Sequence, residues 1–261
     1  NNTFTLTATQ LTALRNQQYY ANIHTITYPS GEIRGQVTPM STAKFRVMLS
    51  GAFEAIPATT FASGGLTLNL IDSTLTVSGS FTGLESNLAV NINGGNHLHR
   101  GMAGQNGPII QGLKSTLNAD QRSGVFLADS NTYKLTPVLM DDLMSRRLYA
   151  NIHSLNFTGG EIRGQILPEC QYVLFGFFSG MQENKPVQST AKGNVIAEVS
   201  GTRLSVSGYV ERLSDKVNLN IGSHLHRAPT GSNGPIRIPL SMTFPTADSL
   251  SLVYPVSSNT Y

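Results

Sequence analysis

The sequence predicts an all-β protein: two antiparallel Greek-key-type β-sandwich or barrel modules of about 128 residues, each with one short helix. Three observations carry this. Apolar residues alternate with Thr, Ser and Asn at a period of two, as in "GGLTLNLIDSTLTVSGSF" (64–81). The runs are short and broken by Gly, Asn and Ser, which punctuate turns. The sequence also repeats itself. "YYANIHTITYPSGEIRGQVTP" (19–39) returns ungapped as "LYANIHSLNFTGGEIRGQILP" (148–168), 129 residues on, and "HLHRGMAGQNGPI" (97–109) returns as "HLHRAPTGSNGPI" (224–236), 127 residues on.

In 64–81, Leu66, Leu68 and Leu70 share one face, Asp72-Ser73 turns the chain, and Leu75 and Val77 return. "NVIAEVSGTRLSVSGYV" (194–210) repeats that hairpin with its turn at Ser200-Gly201. The helix of the intact unit starts at Thr136-Pro137, with Thr as N-cap and Pro at the first helical position. Its copy is "TATQLTALRNQ" (7–17), where Thr7 and Gln10 have capping-box spacing. "GQNGPI" and "GSNGPI" read as tight turns after each HLHR strand.

The phase of the repeat divides the chain into a complete module, 40–170, and a split one, 171–261 plus 1–39. Three arrangements fit: the N-terminal segment completes the second module of its own chain, it completes that of a neighbouring molecule, or the sequence is one period of a longer repeat protein. Each requires 1–39 to meet a 171–261 segment, because unpaired apolar strand edges are a hazard that proteins avoid.

All six histidines lie in the repeated tetrapeptides: His97, His99 and His153 in one unit, His224, His226 and His24 in the other. Residues i and i+2 of a strand face the same way, so each His-x-His presents two imidazoles side by side. A third from a neighbouring strand makes a ligand set suited to copper or zinc rather than to calcium or magnesium. The competing reading is ordinary hydrogen bonding in turns or core. Glu161 and Arg163, like Glu32 and Arg34, sit two apart in GEIRGQ. They pair with each other, pair with Arg100 or Arg227 across the sheet, or hold the histidines from behind.

Charged residues make up 13% of the chain, against about a quarter in an average soluble protein, which suits an extracellular or surface chain. The net charge of +3 is scattered, so no nucleic-acid stripe is expected. No apolar run reaches the ~20 residues of a membrane helix. The opening "NNTFTLTATQ" has neither the basic start nor the apolar core of a secretion signal, so an exported form is expected to be the mature one. The single cysteine, Cys170, excludes an intrachain disulfide and leaves a buried thiol or an intermolecular bond. Asn156 and Asn1 head glycosylation sequons.

These motifs resemble the CHRD (chordin) domain family. The resemblance runs through Ser50-Gly51, Glu54 and Pro57; His97, His99, Asn106, Gly107 and Pro108; and Asn151-Ile152-His153 with Gly160 to Gln165. The second copy matches at Ser179-Gly180, Glu183, Pro186, His224, His226, Asn233, Gly234 and Pro235, then at Asn22, Ile23, His24 and Gly31 to Gln36. Arg100 and Arg227 replace the family's usual Gly after HxH. The resemblance implies extracellular β-sandwich modules. The HxH strand is also similar to the copper strand of Cu/Zn superoxide dismutases, without their four copper ligands or their bridging histidine.

The expected function is that of an extracellular, non-catalytic repeat protein. It joins copies of itself head to tail by strand complementation and holds copper or zinc at three histidines per module. The alternatives are a monomeric secreted copper-binding or redox protein and a ligand-binding CHRD module.

Overall fold

The computed structural model describes residues 3–261. The first helix, α1 (Ala8–Arg15), is capped by Thr7, whose hydroxyl accepts from the Gln10 amide while the Gln10 side chain accepts from the Thr7 amide. It leads into β1 (Tyr20–Ile23) and β2 (Ile33–Gln36), which among the described residues pair only with each other.

The complete module follows: β3 (Ala43–Ser50), β4 (Ser63–Ile71), β5 (Thr74–Thr82), β6 (Asn96–Arg100), β7 (Ile109–Gly112), β8 (Ser115–Leu117), β9 (Gly124–Phe126), β10 (Thr132–Lys134), α2 (Pro137–Met144), β11 (Leu148–Ile152), β12 (Ile162–Gln165) and β13 (Leu167–Pro168). One antiparallel sheet runs β7-β6-β11-β12-β3-β4-β5-β9-β8, with β10 beside β5 and β13 beside β3. The predicted hairpin is β4–β5, its turn made by Asp72 at φ +54°. Leu66, Leu68, Leu70, Leu75 and Val77 are all buried in the core that the curled sheet encloses, together with Phe45, Phe126 and Leu143. Alternation therefore sends one face of each strand inward, and burial of each such side chain contributes about 1.5–3 kcal/mol.

Beyond the complete module come β14 (Tyr172–Ser179), β15 (Lys192–Ser200), β16 (Arg203–Glu211), β17 (Ser223–His226), β18 (Ile236–Leu240) and β19 (Leu252–Tyr254). They form a four-stranded sheet, β14-β15-β16-β19, and a separate β17–β18 pair over a smaller core of Val206, Val210, Leu240, Leu252 and Tyr254. The fold is all-β, as the alternation predicts, with two short helices.

The two units differ at their edges. In the complete module β11 and β12 lie between β6 and β3. Among the described residues the counterparts of those outer strands, β17 and β14, have no such neighbour, and β1–β2 does not pair with either. The cost shows in exposure: Leu174 on β14 is 58% exposed, whereas Phe45, at the same place in the complete unit, is 1% exposed.

Candidate metal centre

The centre is built by β6 and by the end of β11. Antiparallel pairing sets Tyr149 opposite His99 and Asn151 opposite His97, and carries His153 just past the last pair. Leu98, between the two histidines, points into the core at 2% exposure, so both imidazoles leave the same face. The rings of His97, His99 and His153 have centroids 5.1–5.9 Å apart, and one nitrogen of each lies within 4.8 Å of the others.

Backbone carbonyls decide which nitrogen each ring offers. His97 Nε2 donates to the Asn93 carbonyl at 3.0 Å, His99 Nδ1 to Gly107 at 3.0 Å, and His153 Nδ1 to Thr158 at 3.0 Å. A carbonyl only accepts, so each of these nitrogens carries the proton. The other three, His97 Nδ1, His99 Nε2 and His153 Nε2, are therefore bare lone pairs, buried and without any partner. An unpartnered buried acceptor costs about 1–3 kcal/mol, and this site gathers three.

Burial also keeps the rings neutral. It pushes the His99 imidazole down to about 4, with help from the neighbouring His153, His97 and Arg163, and holds His97 and His153 below the usual histidine range. Three neutral imidazoles with converging lone pairs are what copper or zinc takes as a tris-histidine ligand set.

Behind the imidazoles stands Tyr149, stacked on His99 with centroids 4.9 Å apart and planes 10° from parallel. Its hydroxyl accepts from the Gly107 amide at 3.1 Å. The Arg163 guanidinium covers the other face of the Tyr149 ring at 3.5 Å and donates to the carbonyls of Met102 and Gln105. Sequence reasoning missed Tyr149, although the repeated "YANIH" contains it and its copy Tyr20.

The ion pair suggested between Glu161 and Arg163 does not form. Glu161 accepts from the Thr60 hydroxyl and the Glu85 amide, while the guanidinium is occupied by carbonyls and the Tyr149 ring. Arg100 also turns away from the histidines, to Asp142 on α2 at 2.6 Å, and Arg227 is exposed. Glu54 sits under Asn151 and Gly160, and burial raises its carboxyl to about 7. Gly160 is required here: at φ +124°, a Cβ would lie 2.4 Å from Asn151 and 2.6 Å from Glu54.

The second set is divided. His224 and His226 face each other with centroids 4.6 Å apart, and His226 Nδ1 donates to Gly234 at 2.6 Å as His99 does to Gly107. His24 Nδ1 donates to Pro29 at 2.9 Å, in the manner of His153. In the single chain His24 does not join the other two; among the described residues the convergent group of three is His97, His99 and His153. Arg34 covers the Tyr20 ring at 3.5 Å, as Arg163 covers Tyr149. No ion pair is formed by Glu32 among the described residues. Asn156 lies exposed on the turn after β11, Asn1 lies outside the described residues, and Cys170 is a half-buried free thiol between β13 and β14.

The architecture and the histidine geometry define an all-β, sandwich-like module with a candidate metal centre. The model of the CHRD domain matches residues 1–37, 45–166 and 177–257, and the chain belongs to that family. No curated protein and no solved structure gave a match. No helix among the described residues is long and apolar enough to cross a membrane.

Proposed function

We propose that this chain is an extracellular, non-catalytic CHRD protein that binds copper or zinc through His97, His99 and His153 and joins copies of itself head to tail. The observation that carries the metal reading is the meeting of three bare, buried imidazole nitrogens whose tautomers are fixed from behind by carbonyls. Metal analysis of chain loaded with copper or zinc tests it. We expect stoichiometric metal that is lost in the double variant His97→Ala/His99→Ala; a chain that holds no transition metal overturns the reading.

Assembly is supported by the apolar edges. Leu174 at 58%, Ile23 at 57% and Ile33 at 61% exposure stand where the complete module has Phe45, Ile152 and Ile162 at 1% or less. Each gains about 1.5–3 kcal/mol on burial. The natural cover for β14 and β17 is the β1–β2 hairpin of a second copy, which also carries His24 to His224 and His226. Size-exclusion chromatography and electron microscopy test this: chains that associate, and stop doing so when residues 1–39 are deleted, support it, and a monomer at every concentration ends it.

A further inference from the structure

The joint between the two units within the chain has a partial twin at the chain's front. Past α2, Arg146 at φ +60° reaches into the next unit and holds Glu198 on β15 with two bonds, 2.8 and 3.0 Å. Past α1, Gln17 at φ +58° occupies the same place in the repeat. Its Oε1 accepts from Asn69 on β4 at 2.8 Å and from Ser78 on β5 at 2.9 Å, and it is 4% exposed. Asn69 and Ser78 are the repeat counterparts of Glu198 and Ser207. The front segment therefore docks on the complete module where the complete module's own closing segment docks on the unit after it. The connecting stretches, 37–42 and 166–171, are equal in length.

The segment is also folded as though its body were present. Gln36 Nε2 donates to the Gln17 carbonyl as Gln165 Nε2 does to that of Arg146. Gly31 at φ +122° packs on Asn22 as Gly160 at φ +124° packs on Asn151.

At the internal joint the body of the complete unit supplies a wall: Ala103 clusters with Leu167 and Ile196, Gly104 lies against Asn194, and the Phe53 ring is 5.0 Å from that of Phe175. A cleft of about 310 Å³ remains there, lined by Arg163, Gln165 and Phe175. The front joint has a wider cleft, about 570 Å³, lined by the counterparts Arg34, Gln36 and Arg46. There the wall is missing: Gly65, the counterpart of Asn194, is exposed, and Met48 is 70% exposed. The residues at the repeat positions of Ala103 and Gly104 are Thr230 and Gly231, both exposed, and Gly231 at φ +79° keeps the turn of Gly104 at φ +81°.

We infer that the face formed by Arg46, Met48, Gly65 and Thr67 is a docking surface for the 171–261 unit of a second copy. Thr230 and Gly231 fill it as Ala103 and Gly104 fill the internal joint, so every joint along the assembly is the same. This rests on the head-to-tail reading and adds the arrangement of successive units.

Two thiol pairs in a Cys170→Ser background test it, each split between two mixed proteins so that only a link between copies is scored. Thr38→Cys with Phe175→Cys reports on strand complementation alone, since their counterparts Leu167 and Arg46 are register partners. Thr67→Cys with Thr230→Cys reports on the docking face. Linking of both pairs by a short bis-thiol reagent is the expected result. A link at Thr38–Phe175 without one at Thr67–Thr230 leaves the assembly standing and overturns this joint; no link at either overturns both. Electron micrographs of unsubstituted assemblies give an independent reading: an axial repeat of one unit supports equal joints, and unequal spacing of alternate units rejects them.

Discussion

Tyr149 does two things for His99. Its ring lies flat on the imidazole, centroids 4.9 Å apart, and its hydroxyl accepts from the Gly107 amide, whose residue's carbonyl takes the His99 Nδ1 proton. One side chain thus sets both the plane of an imidazole and the loop that fixes its tautomer. Tyr149→Phe keeps the stack and releases the loop, and we expect metal affinity to fall about 10-fold, the lower end for loss of an outer-shell partner. Titration calorimetry with zinc checks it, with unchanged thermal stability of the metal-free variant as the control for folding.

Stability of the metal-free chain should fall on acidification. The His99 pKa is about 4 when folded and 6.5 when unfolded, so between these values the unfolded state binds the extra proton. The loss begins as pH drops through 6.5, is complete near 4, and amounts to about 3 kcal/mol for this group. His97 and His153 shift the same way. Glu54 opposes them: raised from 4.5 to about 7, it favours the folded state at low pH and loses that contribution as pH rises through 7. Glu54→Gln removes the opposing proton. Urea titrations from pH 5 to 6.5 should then show a steeper rise of stability with pH, by up to about 1.4 kcal/mol per unit.

Loss of the Gln17 side-chain amide in Gln17→Ala strips the acceptor from two buried donors, Asn69 Nδ2 and Ser78 Oγ. At about 1–3 kcal/mol for each stranded group, the front segment should come off its face. Hydrogen exchange then speeds up at the 16–19 backbone and leaves the β4–β5 amides unchanged.

Arg146→Ala leaves the Glu198 carboxylate, on a residue 5% exposed, without its partner. A cost of about 3–5 kcal/mol is expected, and the double variant Arg146→Met/Glu198→Met should recover most of it. Denaturant unfolding followed for residues 171–261 reads both.

Strand geometry makes the strands and the paired His97 and His99 legible in the sequence, and the capping residues Thr7 and Thr136 mark both helix starts. The third histidine of the cluster, His153, follows by elimination. Tyr149 is hidden for a different reason: its role depends on which strand lies beside β6, and no local pattern encodes that. Glu161 and Arg163 mislead because spacing shows what shares a strand but says nothing of the carbonyls and ring that compete for the guanidinium. The Gln17–Asn69 bond joins residues 52 apart through a left-handed turn after a helix, a conformation with no signature at a glutamine.

In the proposed assembly the 171–261 body receives a hairpin and the 1–39 hairpin is received, so each joint has a built-in direction. The two sides of such a joint are chemically unlike, a cradle and a clasp. A peptide shaped like residues 7–36 would plug the first and leave the second free to grow.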